Sequence, residues 1–85
     1  MPTISMFFGI VIRMYAGDHN PPHFHAVYQD FEARFDFDGN IIDGTMPVKQ
    51  AKLIAAWATI HYDELDANWR LGCRMEPMYR IDPLH

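Results

Sequence analysis

Positive charge is scarce in this chain of 85 residues: seven Lys and Arg stand against eleven Asp and Glu, for a formal net charge of −4. That balance supplies no overall positive field to draw in nucleic acid, so an RNA contact needs a local patch. Cysteine is scarcer still, since Cys73 stands alone and excludes an internal disulfide. The start of the chain also lacks the basic stretch, apolar run and small-residue cleavage site of a secretory leader, and a reducing cytoplasm is the expected compartment. No apolar run nears the roughly 18 residues that span a bilayer, because Ile10 to Ile12 is closed at once by Arg13. A glycine-rich phosphate loop, a paired-cysteine zinc motif and a serine elbow are all missing, which removes support from most common enzyme classes. There is no internal repeat, low-complexity tract or linker.

What is present is apolar and aromatic material. Hydrophobic residues make up 49% of the chain and aromatic ones 14%, enough to drive folding and far from the composition of a disordered segment. The length accommodates a single domain, residues 1–85, and not two. A core this small leaves a net stability of only a few kcal/mol. Burying the surplus of Phe, Ile and Met against a second copy is therefore one expectation.

Ser5 to Tyr15 is almost continuously apolar and reads as a central strand buried on both faces. Ala16 to Pro22 collects turn formers, and its paired prolines exclude a regular element. His23 to Tyr28 and Phe31 to Asp38 follow as two strands. The second alternates Phe31, Ala33, Phe35 and Phe37 with Glu32, Arg34, Asp36 and Asp38. With Gln29-Asp30 as a two-residue loop, Tyr28 faces Phe31, Ala26 faces Ala33 and Phe24 faces Phe35, all on one surface. The same register places His25 across from Arg34 and His23 across from Asp36 on the other surface. Asp38-Gly39 is a second turn signal, with a short strand at Ile41-Ile42 beyond it.

From about Pro47 the apolar positions Leu53, Trp57 and Ile60 repeat at helical spacing, and Leu65, Trp69 and Gly72 continue the stripe to about Met75. One kinked helix and two helices, the second capped near Tyr62 or Asp63, fit equally. Pro77 ends the helical segment, and Met78 to Ile81 forms a terminal strand or an extended tail. The expected fold is α+β: a mostly antiparallel sheet of three to five strands, one face covered by the C-terminal helical segment. Trp57, Trp69 and His61 belong to that packing, and Cys73 is read as an idle thiol despite Arg70 and Arg74 nearby.

Chemistry concentrates where three of the five histidines, His19, His23 and His25, fall within seven residues. Strand residues two apart point the same way with α-carbons roughly 6.6 Å apart, so the imidazoles of His23 and His25 can converge on one divalent ion such as zinc. His19 or Asp18 can fold back as a third ligand. Asp36 then serves either as a ligand or as the acceptor that fixes an imidazole tautomer. The same histidines can instead exchange protons near neutral pH while Arg13 or Arg34 steadies a phosphate oxygen, the arrangement of a small ribonuclease. Glu32, Asp36 and Asp38 on that face oppose a phosphate chain. The plainest alternative is that Asp18, His19 and Asn20 merely build a tight turn and His23 and His25 are ordinary strand residues.

The opening MPTISMFFGIVIRMY, the segment GDHNPPHFHAVY, the run from Trp57 to Trp69 (WATIHYDELDANW) and the closing RIDPL together resemble the bacterial domain-of-unknown-function family 4160 over essentially the whole chain. Asp18 to His25, DHNPPHFH, is the most specific part. Ala56 departs from the family pattern, which has an acidic residue there, and nothing is built on that position. The resemblance implies a small stand-alone bacterial protein encoded beside a second small protein, in the manner of toxin–antitoxin pairs. Two functions are therefore expected in parallel. One is a toxin-like component acting on RNA through His23, His25, Arg13 and Arg34. The other is a non-catalytic module that binds metal or docks a partner through His19, His23 and His25, with Asp18 and Asp36 as further ligands.

Overall fold

The computed structural model describes residues 3–85. Five strands, β1 (Thr3–Phe7), β2 (Ile10–Arg13), β3 (Phe24–Tyr28), β4 (Phe31–Phe35) and β5 (Ile41–Gly44), form one antiparallel sheet in the order β1-β2-β3-β4-β5. Two helices follow, α1 (Val48–Ile60) and α2 (Tyr62–Cys73), so the fold is α+β with the helices C-terminal to the sheet. No helix among the described residues is long and apolar enough to cross a membrane.

The register read from the alternating sequence holds between β3 and β4: Tyr28 pairs with Phe31, Ala26 with Ala33, Phe24 with Phe35 and His25 with Arg34. Phe24, Ala26, Ala33 and Phe35 are buried, and the Phe24 and Phe35 rings stack with centroids 5.6 Å apart. Trp57 of α1 is fully buried against Phe24 and Phe7, at 5.6 and 5.5 Å. Leu65 and Trp69 bring α2 onto the same core. Burying this aromatic and aliphatic surface between two layers is the main favourable term in folding so short a chain.

Two expectations about the sheet need correction. The stretch from Ser5 to Tyr15 is not one central strand but a hairpin, β1 and β2, and β3 occupies the centre. The chain reverses at Phe8-Gly9, with φ of 50° and 78°. Phe8 is 57% exposed, so an apolar residue at the tip of a turn gave the sequence a false continuity. A bulky side chain in the left-handed region is uncommon, which is why the pair carries no ordinary turn signature. The second correction concerns the end of β4, which closes at Phe35 so that Asp36 enters the turn before β5 and has no partner across in β3. The Asp38-Gly39 turn itself is present, with Gly39 at φ 90° and its N–H donating to the Asp36 carbonyl at 3.1 Å.

His61 breaks the helical segment in two, with its N–H bonded to the Trp57 carbonyl and its ring against Trp57. α2 stops at Cys73, before Pro77, and Met75 takes the left-handed conformation (φ 57°) just beyond. The tail then runs back over the core without forming a strand. Asn68 is buried and clamps Tyr79, accepting its N–H at 2.9 Å and donating to its carbonyl at 2.8 Å. Trp57 Nε1 donates to the Asp82 carbonyl at 2.8 Å, and the Ile81 N–H reaches the Ile4 carbonyl at 2.7 Å. The helices and tail cover one sheet face. The other carries Val11, Arg13, His25, Val27, Glu32 and Arg34, half-buried or exposed, with no element packed over them.

Candidate metal centre

The loop between β2 and β3 delivers Asp18 to the entrance of β3. The loop contains a cis Asn20–Pro21 bond and is tied down by the Gly17 N–H, which donates to the Gly72 carbonyl at the end of α2 at 3.0 Å. His23 arrives at the foot of β3, 1% exposed, its ring centroid 5.4 Å from that of Trp69. His25, one pleat further, is in register with Arg13 of β2 and Arg34 of β4, and the edge of its ring meets Tyr15 at 4.7 Å.

Three of the residues singled out in the sequence converge here: one donor atom each from Asp18, His23 and His25 lies within 4.8 Å of the others. Asp18 Oδ2 is 2.9 Å from His23 Nε2 and 3.5 Å from His25 Nε2. His23 Nδ1 lies 2.7 Å from the Pro21 carbonyl oxygen. A carbonyl can only accept, so Nδ1 carries a proton and Nε2 is the ring nitrogen turned toward the Asp18 carboxylate. Neither His23 Nε2 nor His25 Nε2 has a hydrogen bond of acceptable direction, although both atoms are buried. Buried polar atoms without well-directed partners are costly. Around one zinc ion with bonds of about 2.05 Å, donor atoms sit about 2.9 Å apart at right angles and about 3.3 Å apart at tetrahedral angles. The 2.9 Å separation falls on that spacing, 3.5 Å lies slightly beyond it, and the two histidine nitrogens are within 4.8 Å of each other.

The remaining residues divide. His19 is exposed, with Nδ1 3.2 Å from Asp18 Oδ1 and its ring 6.1 Å from that of His23, so it stands at the mouth of the cluster and outside it. Asp36 is taken up elsewhere. Its Oδ1 accepts the N–H groups of Asp38 and Asn40 at 3.0 and 2.9 Å, and it lines a cleft of about 210 Å³ with Pro21, Phe37, Asp38, Tyr62 and Asp66. The Pro21 carbonyl, not Asp36, orients the His23 ring. Arg34 is held by Asp43 through two parallel contacts, one of 2.9 Å from Nε. That pairing holds the Arg34 proton more tightly than usual and lowers the Asp43 carboxyl below its ordinary range. Sequence reasoning missed the Pro21 carbonyl, a backbone acceptor that residue identity does not reveal. It also missed Glu32 as the neighbour of His25, with Oε2 3.9 Å from Nδ1, although their strand positions placed both on one face. The larger cleft, about 470 Å³, is lined by Phe8, Tyr28, Lys49, Gln50 and Leu53 at the other end of β3 and holds none of these residues.

Burial works to raise the Asp18 carboxyl. The His19 N–H it accepts at 2.9 Å and the neighbouring His23, His25 and His19 outweigh burial and hold it below the ordinary 3.8. A carboxyl depressed in the folded state stabilises the fold above the unfolded pKa and ceases to do so as pH falls through the folded one. A carboxyl-carbon NMR titration of metal-free protein is expected to show Asp18 ionising below 3.8. Ionisation above that value would mean that burial dominates at this position.

Fold and cluster define a class: a small two-layer α+β domain whose half-buried two-histidine, one-carboxylate cluster opens onto an uncovered sheet face. The chain belongs to the family described as Domain of unknown function (DUF4160), whose model matches residues 9–70. The match begins after β1 and ends within α2, so it covers less than the whole chain, and it contains Asp18, His23 and His25. No curated protein and no solved structure matches the chain.

Proposed function

We propose that this protein binds a divalent transition metal, with zinc as the reference ion, through Asp18, His23 and His25. The observation that carries the reading is the His23 ring: Nδ1 is committed to the Pro21 carbonyl, and the buried Nε2, without a well-directed hydrogen bond, lies 2.9 Å from a carboxylate oxygen. A metal ion among these atoms satisfies all three donors at once, and a backbone carbonyl orienting the distal nitrogen is the usual support for a ligating histidine. Nitrogen and carboxylate donors suit zinc and also iron(II). Three protein ligands leave positions for water or a small molecule, as in sites where the metal is reactive and unlike the closed four-ligand sites that serve structure alone.

The toxin-like reading, with RNA cleaved by metal-free histidines, uses the same residues and is less well supported. A general base must reach its proton, and His23 is 1% exposed with one ring nitrogen already bonded. Purified protein, stripped with a chelator and titrated with zinc by calorimetry, is expected to take up one equivalent per chain. Because the ligands must be deprotonated, affinity should fall as pH is lowered. A folded sample that takes up no zinc would remove the proposal.

A further inference from the structure

Resting on that metal reading, we infer that the loaded centre, together with Arg13 and Arg34, forms a binding site for a phosphate group on the uncovered face of the sheet. Arg13, His25 and Arg34 are in register across β2, β3 and β4, and paired residues of antiparallel strands project to the same side about 5 Å apart. The ligand His25 therefore has a guanidinium on either flank. Arg34 spends two N–H groups on Asp43 and keeps the rest of its donor fork. Its position is set by that bond, and the charge of Asp18 reaches it. Arg13, unlike Arg34, Arg70 and Arg74, has no carboxylate partner among the described residues. No helix covers this face, and His25 keeps 17% of its side chain in solvent, so a ligand can approach.

Charge makes the site conditional on metal. Around His25 the two guanidinium groups are opposed by the carboxylates of Asp18, Glu32 and Asp43, so the empty face has a deficit of one charge and repels anions. A divalent ion turns that deficit into a surplus of one and adds open coordination positions for an oxygen donor. A tetrahedral phosphate can then place one oxygen on the metal and others on guanidinium N–H groups, which bind phosphate in charge-assisted, often bidentate fashion. This arrangement also reconciles the acidic chain with an anionic ligand, since attraction is confined to one metal-dependent patch.

The test is the visible spectrum of the full chain loaded with cobalt(II) and titrated with inorganic phosphate, and separately with a ribodinucleotide. The spectrum is expected to change saturably with phosphate. Arg13→Gln and Arg34→Gln should each raise the half-saturation concentration about tenfold. Cobalt should still bind at one equivalent per chain, and circular dichroism should stay as in the parent chain. A response to inorganic phosphate alone assigns the site to free phosphate or a monoester, and a response to both extends it to the diester of nucleic acid. If cobalt binds but phosphate leaves the spectrum unchanged, or both arginine variants respond like the parent, the phosphate site is refuted and the metal reading stands. If cobalt fails to bind a folded chain, the metal reading itself falls.

Discussion

Replacing any one of Asp18, His23 and His25 with alanine is expected to weaken zinc binding by at least about 100-fold. Changing a residue that only orients a ligand already costs 10- to 100-fold, and removing the ligand costs more. His25→Ala is the cleanest of the three, since its side chain is not fully buried and the Phe24 and Ala26 positions beside it keep the strand in the core. His23→Ala also strips packing from Trp69, so its zinc titration needs a parallel unfolding curve. Asp36→Ala is the matching contrast. Its carboxylate serves the turn before β5, and zinc affinity should not move. A large loss in Asp36→Ala, or none in His25→Ala, would mean that the ligand set is wrong.

The largest effect on stability is expected at Trp57. Its side chain is fully buried between the sheet and α1, touches Phe7, Phe24 and His61, and donates its indole N–H to the Asp82 carbonyl. Trp→Ala in a core typically costs about 3–5 kcal/mol, and the tail would lose an anchor as well. Domains of this size hold only about 4–13 kcal/mol in all. Denaturant unfolding should therefore place Trp57→Ala near the edge of stability, with the tail newly open to protease. A loss below about 1 kcal/mol would contradict the packing described for α1.

The parts of the fold that could be read in advance are those where one physical signal ran without interruption. Phe31 to Asp38 alternates strictly, and a one-residue slip would turn its phenylalanines into water, so the β3–β4 register was legible. The helical stripe from Pro47 was equally plain, but it runs across His61 without a change of period, and two helices and one bent helix had the same pattern. The β1–β2 hairpin was hidden because Phe8 places an exposed aromatic residue where a polar turn residue is usual. In the cluster, proximity in sequence made Asp18, His23 and His25 conspicuous. Asp36 misled because the pairing was extended one residue too far, past the point where the turn captures the carboxylate.

The acceptor that orients His23 belongs to the main chain, and this alters what mutagenesis can see. No side-chain truncation removes that acceptor, so a side-chain scan of the loop reads the three candidate ligands directly and the group that aims His23 only through changes in the backbone path. Inserting or deleting a residue between Asp18 and His23 would move that carbonyl, so a change of loop length is expected to re-aim the His23 ring while leaving every side chain of the cluster in place.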